Sequence, residues 1–467
     1  MKSFTYSQAA GFLDDSLIFG IKPNLLRING ILKLMGNPHK SSTDFIHIVG
    51  TNGKTSTAIM TAAILNSHGL RAAYHISPHI NHYTERLWFC GNPVTKQKFG
   101  ELFSEVYPYI EEVNRLDLGG PITQFEIIAA MAFYLCARES IDVMVLEAGL
   151  GGRWDATNAA DSKVAGLTGV SLEHTAVLGG TIEKIAREKS MVIKKGAPVA
   201  TTSTDKIVLD VLKKRAALTN SRLYLYDRDF YIESKQKIYM EGWDLTVRTL
   251  EERISGVRLP LIGNYQPMNF LLAAVLSELY LGMRGKKLLQ GNLIKAMADI
   301  KVTGRFEILR KRPLVIADTS HNPEGLENFF KNLDENFEGF SPDKENDRGR
   351  GSKIIVFSVL KDKDYKKMLE TAASGADVLI LASSNTPRSL SPDSLEKEYM
   401  LYCGRKNKKT DTLATAENKS EISPARLPDR VYKMDTVVNS LNFALKIAGE
   451  NDIICITGSI TNLENIV

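Results

Sequence analysis

A chain of 467 residues, 43% of them hydrophobic, exceeds what one core usually serves, so two or three domains are expected. With 59 basic and 54 acidic side chains the formal charge is only +5, which points to small anionic substrates and gives no reason to invoke nucleic acid. Four cysteines without CxxC spacing indicate neither a zinc site nor a disulfide framework. No apolar run reaches the roughly 18 residues of a membrane span, and Asp14 and Asp15 interrupt the stretch a signal peptide would need, so a reduced, cytoplasmic protein that engages no membrane is expected.

The first informative element is Phe45 to Ser56, FIHIVGTNGKTS, in which a β-branched apolar run leads into a glycine-bounded loop ending in Lys-Thr-Ser. The spacing is shorter than the eight-residue phosphate loop of ordinary nucleotide-binding proteins, yet it has a strand, a turn, exposed backbone N–H groups and a lysine. Gly50 and Gly53 let the backbone approach phosphate oxygens, Thr51 and Asn52 fill the turn between them, Lys54 reaches the terminal phosphates, and Thr55 or Ser56 faces Mg²⁺. The apolar segment from Ala58 to Leu65 continues as a helix whose N-terminal N–H groups favour an anion. The competing reading is a glycine turn followed by a helix cap.

Strand and helix patterns then alternate: RAAYHIS, a helix around Phe125 to Ala137, VMVLEAG, and strands at Val164 to Val170 and Pro198 to Thr202. The pattern restarts near Thr303 with FEIL, PLVIAD, a helix from Glu324, KIIVFSV, a further helix, DVLILAS and DIICITG. This order predicts an α/β fold, a P-loop domain with a mostly parallel sheet over residues 1–300 and a smaller Rossmann-like α/β domain over 301–467. Two polar tracts, FSPDKENDRGRGSK and CGRKNKKTDTLATAENKSEISPARLPDR, have the composition of surface loops.

Ligands in open α/β sheets sit outside the carboxyl ends of strands. Three further segments place charged residues there. VMVLEAGLGGRWDATN ends a strand at Glu147, a candidate Mg²⁺ ligand or a buried carboxylate paired with Arg153. Ser171 to Lys195 puts His174 after a strand and Lys189 on a helix beginning near Thr181, where a second metal could be held. PLVIADTSHNPEG ends a strand in Asp318, with His321 before a helix; an ordinary capped turn is the alternative. Arg305, in TGRFE at the junction, could clamp phosphate.

Together these strings resemble the folylpolyglutamate synthase and dihydrofolate synthase family, a branch of the Mur-type amide ligases. The resemblance runs from FGIKPNLLRI through GNPH, HIVGTNGK, SPHI, TQFE, LEAGLGGRWDATN, LGGTIEKIAREK, NYQPMN, TGRFE, DTSHNPEG, FSVLKDKDY and TPRSL to TGS, in order over nearly the whole chain. It implies an ATP-dependent ligase that adds L-glutamate to a folate-type carboxylate, dihydropteroate or tetrahydrofolate or both, through an acyl phosphate, and it favours a monomer. It implies that Lys54 contacts the β/γ-phosphates and that Ser77 and Glu147 hold one Mg²⁺. His174 and a carbamylated Lys189 would hold a second. Asn269 would read adenine unless it only caps a helix, and Arg305, Asp318 and His321 would meet ribose and phosphates. Thr123 and Phe125, with Arg153 and the loop around Phe19 to Pro23, form the implied acceptor side, although Phe125 also suits a plain core and Lys189 a surface pairing with Glu188 or Glu183.

The chain departs from the family pattern in five places. Thr55 follows Lys54 where glycine is usual, Glu173 precedes His174 where Asp is usual, and Ser190-Met191 replaces Ala-Gly after Lys189. Thr319-Ser320 replaces Gly-Ala, and Trp154 stands where a smaller side chain is common. These departures motivate two alternatives: a Mur-type ligase for a non-folate carboxylate, and a P-loop switch that forms no amide.

Overall fold

The computed structural model describes residues 2–17, 24–337, 351–413 and 427–467. The Phe19 to Pro23 loop and the body of the first polar tract lie outside the described residues. Two compact units emerge, Met1–Pro260 with Tyr265–Lys301, and Leu261–Asn264 with Val302–Val467.

Eight strands form the sheet of the first unit: β1 (Asp44–Val49), β2 (Ala72–His75), β3 (Leu87–Phe89), β4 (Asn92–Pro93), β5 (Val143–Glu147), β6 (Ser162–Leu167), β7 (Val199–Thr201) and β8 (Leu223–Leu225). Their order is β4-β3-β2-β5-β1-β6-β7-β8, parallel except for the edge strands β3 and β4. Because β1 is covered on both faces, it reads as an almost unbroken apolar run. Phe45 and Val49 turn to the face occupied by the helices Tyr6–Asp15, Lys96–Arg115, Gln124–Arg138, Ile182–Ser190 and Lys206–Thr219. On the other face lie the helix Lys54–Ser67 and, packed on it, Gln266–Met283; Leu276 of the latter sits where a Cβ on Gly166 would fall.

A three-stranded antiparallel sheet, β9 (Tyr231–Ile238), β10 (Gly242–Arg248) and β11 (Arg253–Leu259), completes this unit. The sequence pattern did not disclose it, because β9, YIESKQKI, exposes most of its side chains and lacks a clean apolar alternation.

The second unit has a sheet of order β12-β13-β17-β14-β15-β16, in which β12 (Glu307–Lys311) is the antiparallel edge. The others are β13 (Leu314–Ala317), β14 (Lys353–Phe357), β15 (Val378–Leu381), β16 (Arg430–Lys433) and β17 (Ile453–Thr457). One expectation is corrected here. The second polar tract begins inside a helix, Pro392–Leu413, rather than a loop. Leu395, Glu398, Tyr399 and Tyr402 are buried at three- and four-residue spacing, so one stripe docks while the rest stays polar. Residues 414–426 of that tract lie outside the described residues. Among the described residues no helix is long and apolar enough to cross a membrane.

Candidate active site

The β1 strand ends in Gly50-Thr51-Asn52-Gly53, and Gly53, at φ +86°, caps the helix that starts at Lys54. Two glycines are required for local reasons: a Cβ on Gly50 would collide with the Thr168 hydroxyl, and one on Gly53 with the Asn269 amide. Thr168 Oγ1 donates to Asn52 O at 2.6 Å, Thr51 N to Gly169 O at 2.8 Å, and Ser171 N to Thr51 Oγ1 at 3.1 Å, so the segment after β6 braces the loop from behind. The Lys54 ammonium folds over the loop and donates to Gly50 O at 3.1 Å and Thr51 O at 2.8 Å. These elements make a cationic cradle of backbone and lysine at a helix N-terminus, the arrangement that holds phosphate.

Glu147, at the end of the adjacent β5 and 2% exposed, gathers groups from the helix after β1 and from the end of β2. Thr55 Oγ1 donates to both of its oxygens at 3.0 Å, and Ser77 N, just beyond β2, donates to Oε2 at 3.2 Å. Ser56 is buried in the helix, so of the two hydroxyls considered it is Thr55 that reaches the carboxylate. Carboxylate and hydroxyls are hard oxygen donors, the chemistry Mg²⁺ takes, so this set fits that ion. The alternative Glu147–Arg153 pairing is not found: Arg153 lies 3.2 Å from Glu188 and its guanidinium 6.0 Å from the exposed Trp154 ring.

Lys189 is 2% exposed, on the helix Ile182–Ser190, and donates to Gly50 O at 2.6 Å with Glu173 at 3.5 Å. It is no surface lysine. Burial, reinforced by the nearby Lys54 charge, pulls its pKa down to about 8. Gly152 makes this possible, since a Cβ there would strike the Glu188 and Lys189 carbonyls. Buried Asp155 holds the glycine-rich loop through Leu150 N at 2.8 Å and Thr157 N at 3.0 Å. His174 is exposed, at φ +47°, ahead of the short helix Thr175–Leu178. Among the described residues no group of three His, Cys, Asp or Glu side chains gathers as a metal cluster.

Asn269 lies in the first turn of Gln266–Met283, bonded to Gln266 Oε1 at 3.1 Å; Tyr265 occupies the cap position, so Asn269 is not the cap. Thr123 caps Gln124–Arg138 in a reciprocal pair with Glu126. Phe125, half-buried, packs against Gly149 and lies 5.9 Å from the His75 ring.

Within the second unit, buried Asp318 accepts Phe306 N and Ser320 N, each at 2.8 Å, tying TGRF to the turn that carries His321. Arg305 is half-buried, and its charge acts on Asp318. Thr319 O accepts the His321 Nδ1–H at 2.9 Å, which fixes the ring, and Asn322 caps Pro323–Asn336.

Two buried arginines escaped the sequence reading. Arg27 pairs with Glu126 at 3.0 Å, and Arg86 hydrogen-bonds His79 at 2.8 Å. Arg27 leaves no trace in local spacing because Glu126 is 99 residues away in the chain.

The profile described as the Mur ligase middle domain matches residues 48–277, and that described as the Mur ligase glutamate ligase domain matches 304–460. Fold and site therefore define a ligase of the Mur class. The dihydrofolate synthase/folylpolyglutamate synthase of Bacillus subtilis is 29% identical over 99% of this chain and 98% of its own length. That of Mycobacterium tuberculosis is 31% identical over 80% and 77%, respectively. The solved structure of Mycobacterium tuberculosis folylpolyglutamate synthase complexed with ADP superposes with a TM-score of 0.84 at 28% identity, covering 98% of this chain and 96% of that one. The chain belongs to the folylpolyglutamate synthase/dihydrofolate synthase family, whose members are ATP-dependent ligases.

Proposed function

We propose that this ligase joins L-glutamate to a folate-type carboxylate, dihydropteroate or tetrahydrofolate, with release of ADP and phosphate. The observation that carries the proposal is the gathering of Glu147 at the end of β5, Ser77 beyond β2 and Thr55 on the helix after β1, beside the Lys54 cradle. The relatives' names supply the substrate class.

In this mechanism an oxygen of the acceptor carboxylate attacks the γ-phosphorus, the bond to ADP breaks, and an acyl phosphate forms. The glutamate amine then attacks the acyl carbon, and phosphate leaves from the tetrahedral adduct with loss of a proton from nitrogen. No protein nucleophile is needed; the demand is for charge neutralisation and alignment. Lys54 meets the β/γ-phosphates, Gly50 to Ser56 wrap them, and Asn269 beside Gly53 contacts adenine. Thr55, Ser77 and Glu147 would hold Mg²⁺, which would supply positive charge to offset that of the triphosphate. A second Mg²⁺ would take His174 and the carbamate of Lys189. The support for that carbamate is a buried amine with a pKa near 8, of which roughly one-tenth is neutral at pH 7 and open to CO₂. Thr123, Phe125 and Arg153 are assigned to the acceptor side. In the second unit Arg305 and His321 are assigned to phosphate and ribose, Asp318 to setting their turns, and the unit as a whole to glutamate. A monomer suffices for this scheme.

The acyl phosphate is tested by isotope. With ¹⁸O in the acceptor carboxylate, one ¹⁸O should appear in the released phosphate; unlabelled phosphate would refute the intermediate.

A further inference from the structure

Arg86 is 6% exposed and stands at the active-site end of β2 and β3: its carbonyl accepts Ile76 N at 3.1 Å, one residue before Ser77. Its side chain is an unusual buried cation. Nε donates to His79 Nδ1 at 2.8 Å, the guanidinium lies 5.3 Å from the Tyr83 ring centre, and among the described residues no carboxylate forms an ion pair with it. The His79 ring supplies no compensating charge, because an imidazole that accepts at Nδ1 is neutral.

Carboxylates are near, but each already accepts from other donors. Glu85 accepts Ile80 N and Asn81 N at 2.8 Å and His82 N at 2.6 Å, Asp14 accepts the Tyr83 hydroxyl at 2.6 Å, and Glu147 accepts Thr55 and Ser77. Burial draws the Arg86 pKa to about 10, partly offset by the charges of Glu85, Glu147 and Asp14, so it stays protonated at neutral pH. A desolvated cation that lacks an anion partner is costly unless something charged completes it. The planar fork of a guanidinium matches the two oxygens of a carboxylate.

We propose that Arg86 binds the carboxylate of the acceptor that is to be activated, with His79 as the positioning residue that holds the guanidinium toward the Ser77–Glu147 end of the sheet. The assignment rests on the ligase reading above and adds the residue that receives the reacting group.

The test is a binding cycle in the presence of a non-hydrolysable ATP analogue, using wild type, Arg86→Gln and Arg86→Lys with a folate-type acceptor and its counterpart in which the reacting carboxylate is a carboxamide. Wild type should prefer the acid by about 10–100-fold, Arg86→Gln should lose that preference while still binding the amide, and Arg86→Lys should keep part of it. An acid preference undiminished in Arg86→Gln would overturn the assignment and leave the ligase reading standing. Loss of the ATP analogue, or of acid and amide alike, in both variants would make Arg86 a brace for the SPHI loop and likewise overturn it. Wild type that binds neither acceptor would overturn the folate reading itself.

Discussion

Glu147 and Asp318 are both carboxylates sunk at the end of a parallel strand, 2% and 3% exposed, yet their donors come from different places. Asp318 accepts from Ser320, two residues on, and from Phe306, just ahead of the antiparallel neighbour β12, so it stitches its own turn. Asp155 does the same for the glycine-rich loop. Glu147 accepts from Thr55 and Ser77, 92 and 70 residues away in the chain, one in the first turn of the helix after β1 and the other just beyond β2. A buried carboxylate with local backbone donors sets a turn; one with donors from several distant elements marks where the sheet brings chemistry together. Sequence reading made Glu147 a Mg²⁺ ligand and turned Asp318 toward ribose and phosphates; the origin of their donors separates them further.

The largest effect should come from the cradle beside Glu147. Lys54→Ala should cut ATP turnover about a thousandfold with an unchanged melting temperature, measured by ADP release and circular dichroism. Next, Glu147→Gln should lower kcat about a hundredfold at fixed Mg²⁺ with little change in melting, whereas Asp318→Asn should lose about 2 kcal/mol of stability before turnover suffers. A hundredfold loss of kcat in Asp318→Asn at unchanged melting would erase the distinction. Thr55→Ala sharpens it further: the Mg²⁺ needed for half-maximal rate should rise about tenfold, because a donor that aligns both Glu147 oxygens is gone.

The smallest effect concerns stability alone. His47, fully buried against the Thr157 hydroxyl, has its pKa drawn by burial from 6.5 to about 3. Between those values the unfolded chain binds a proton that the native chain refuses, so stability present above pH 6.5 is lost as pH falls toward 3. From pH 6.5 to 5 this group should account for about 2 kcal/mol, and His47→Gln should flatten that part of a denaturant-midpoint profile.

The cradle, the β5 end and the helix that carries Lys189 were legible because each is local: a short apolar strand, glycines at the turn, then a helix within a dozen residues. The α/β order was legible for the same reason. Arg27 was not, since its partner Glu126 lies 99 residues away in the chain, and Arg86 was not, although His79 is only seven residues from it. The β9–β11 sheet was hidden by exposed charged faces, and the helix Pro392–Leu413 by a polar composition that outweighed its buried stripe of Leu395, Tyr399 and Tyr402. Thr123, placed on the acceptor side by the family resemblance, also caps a helix.

The most direct test of the ligase account is ADP release with Mg²⁺, ATP and L-glutamate, comparing dihydropteroate, tetrahydrofolate and no acceptor, with product masses read in parallel. The account predicts turnover that requires both glutamate and one of the two acceptors, and a product heavier by one or more glutamyl residues. ADP release that is indifferent to acceptor and glutamate, with no mass gain on either pterin, would contradict it.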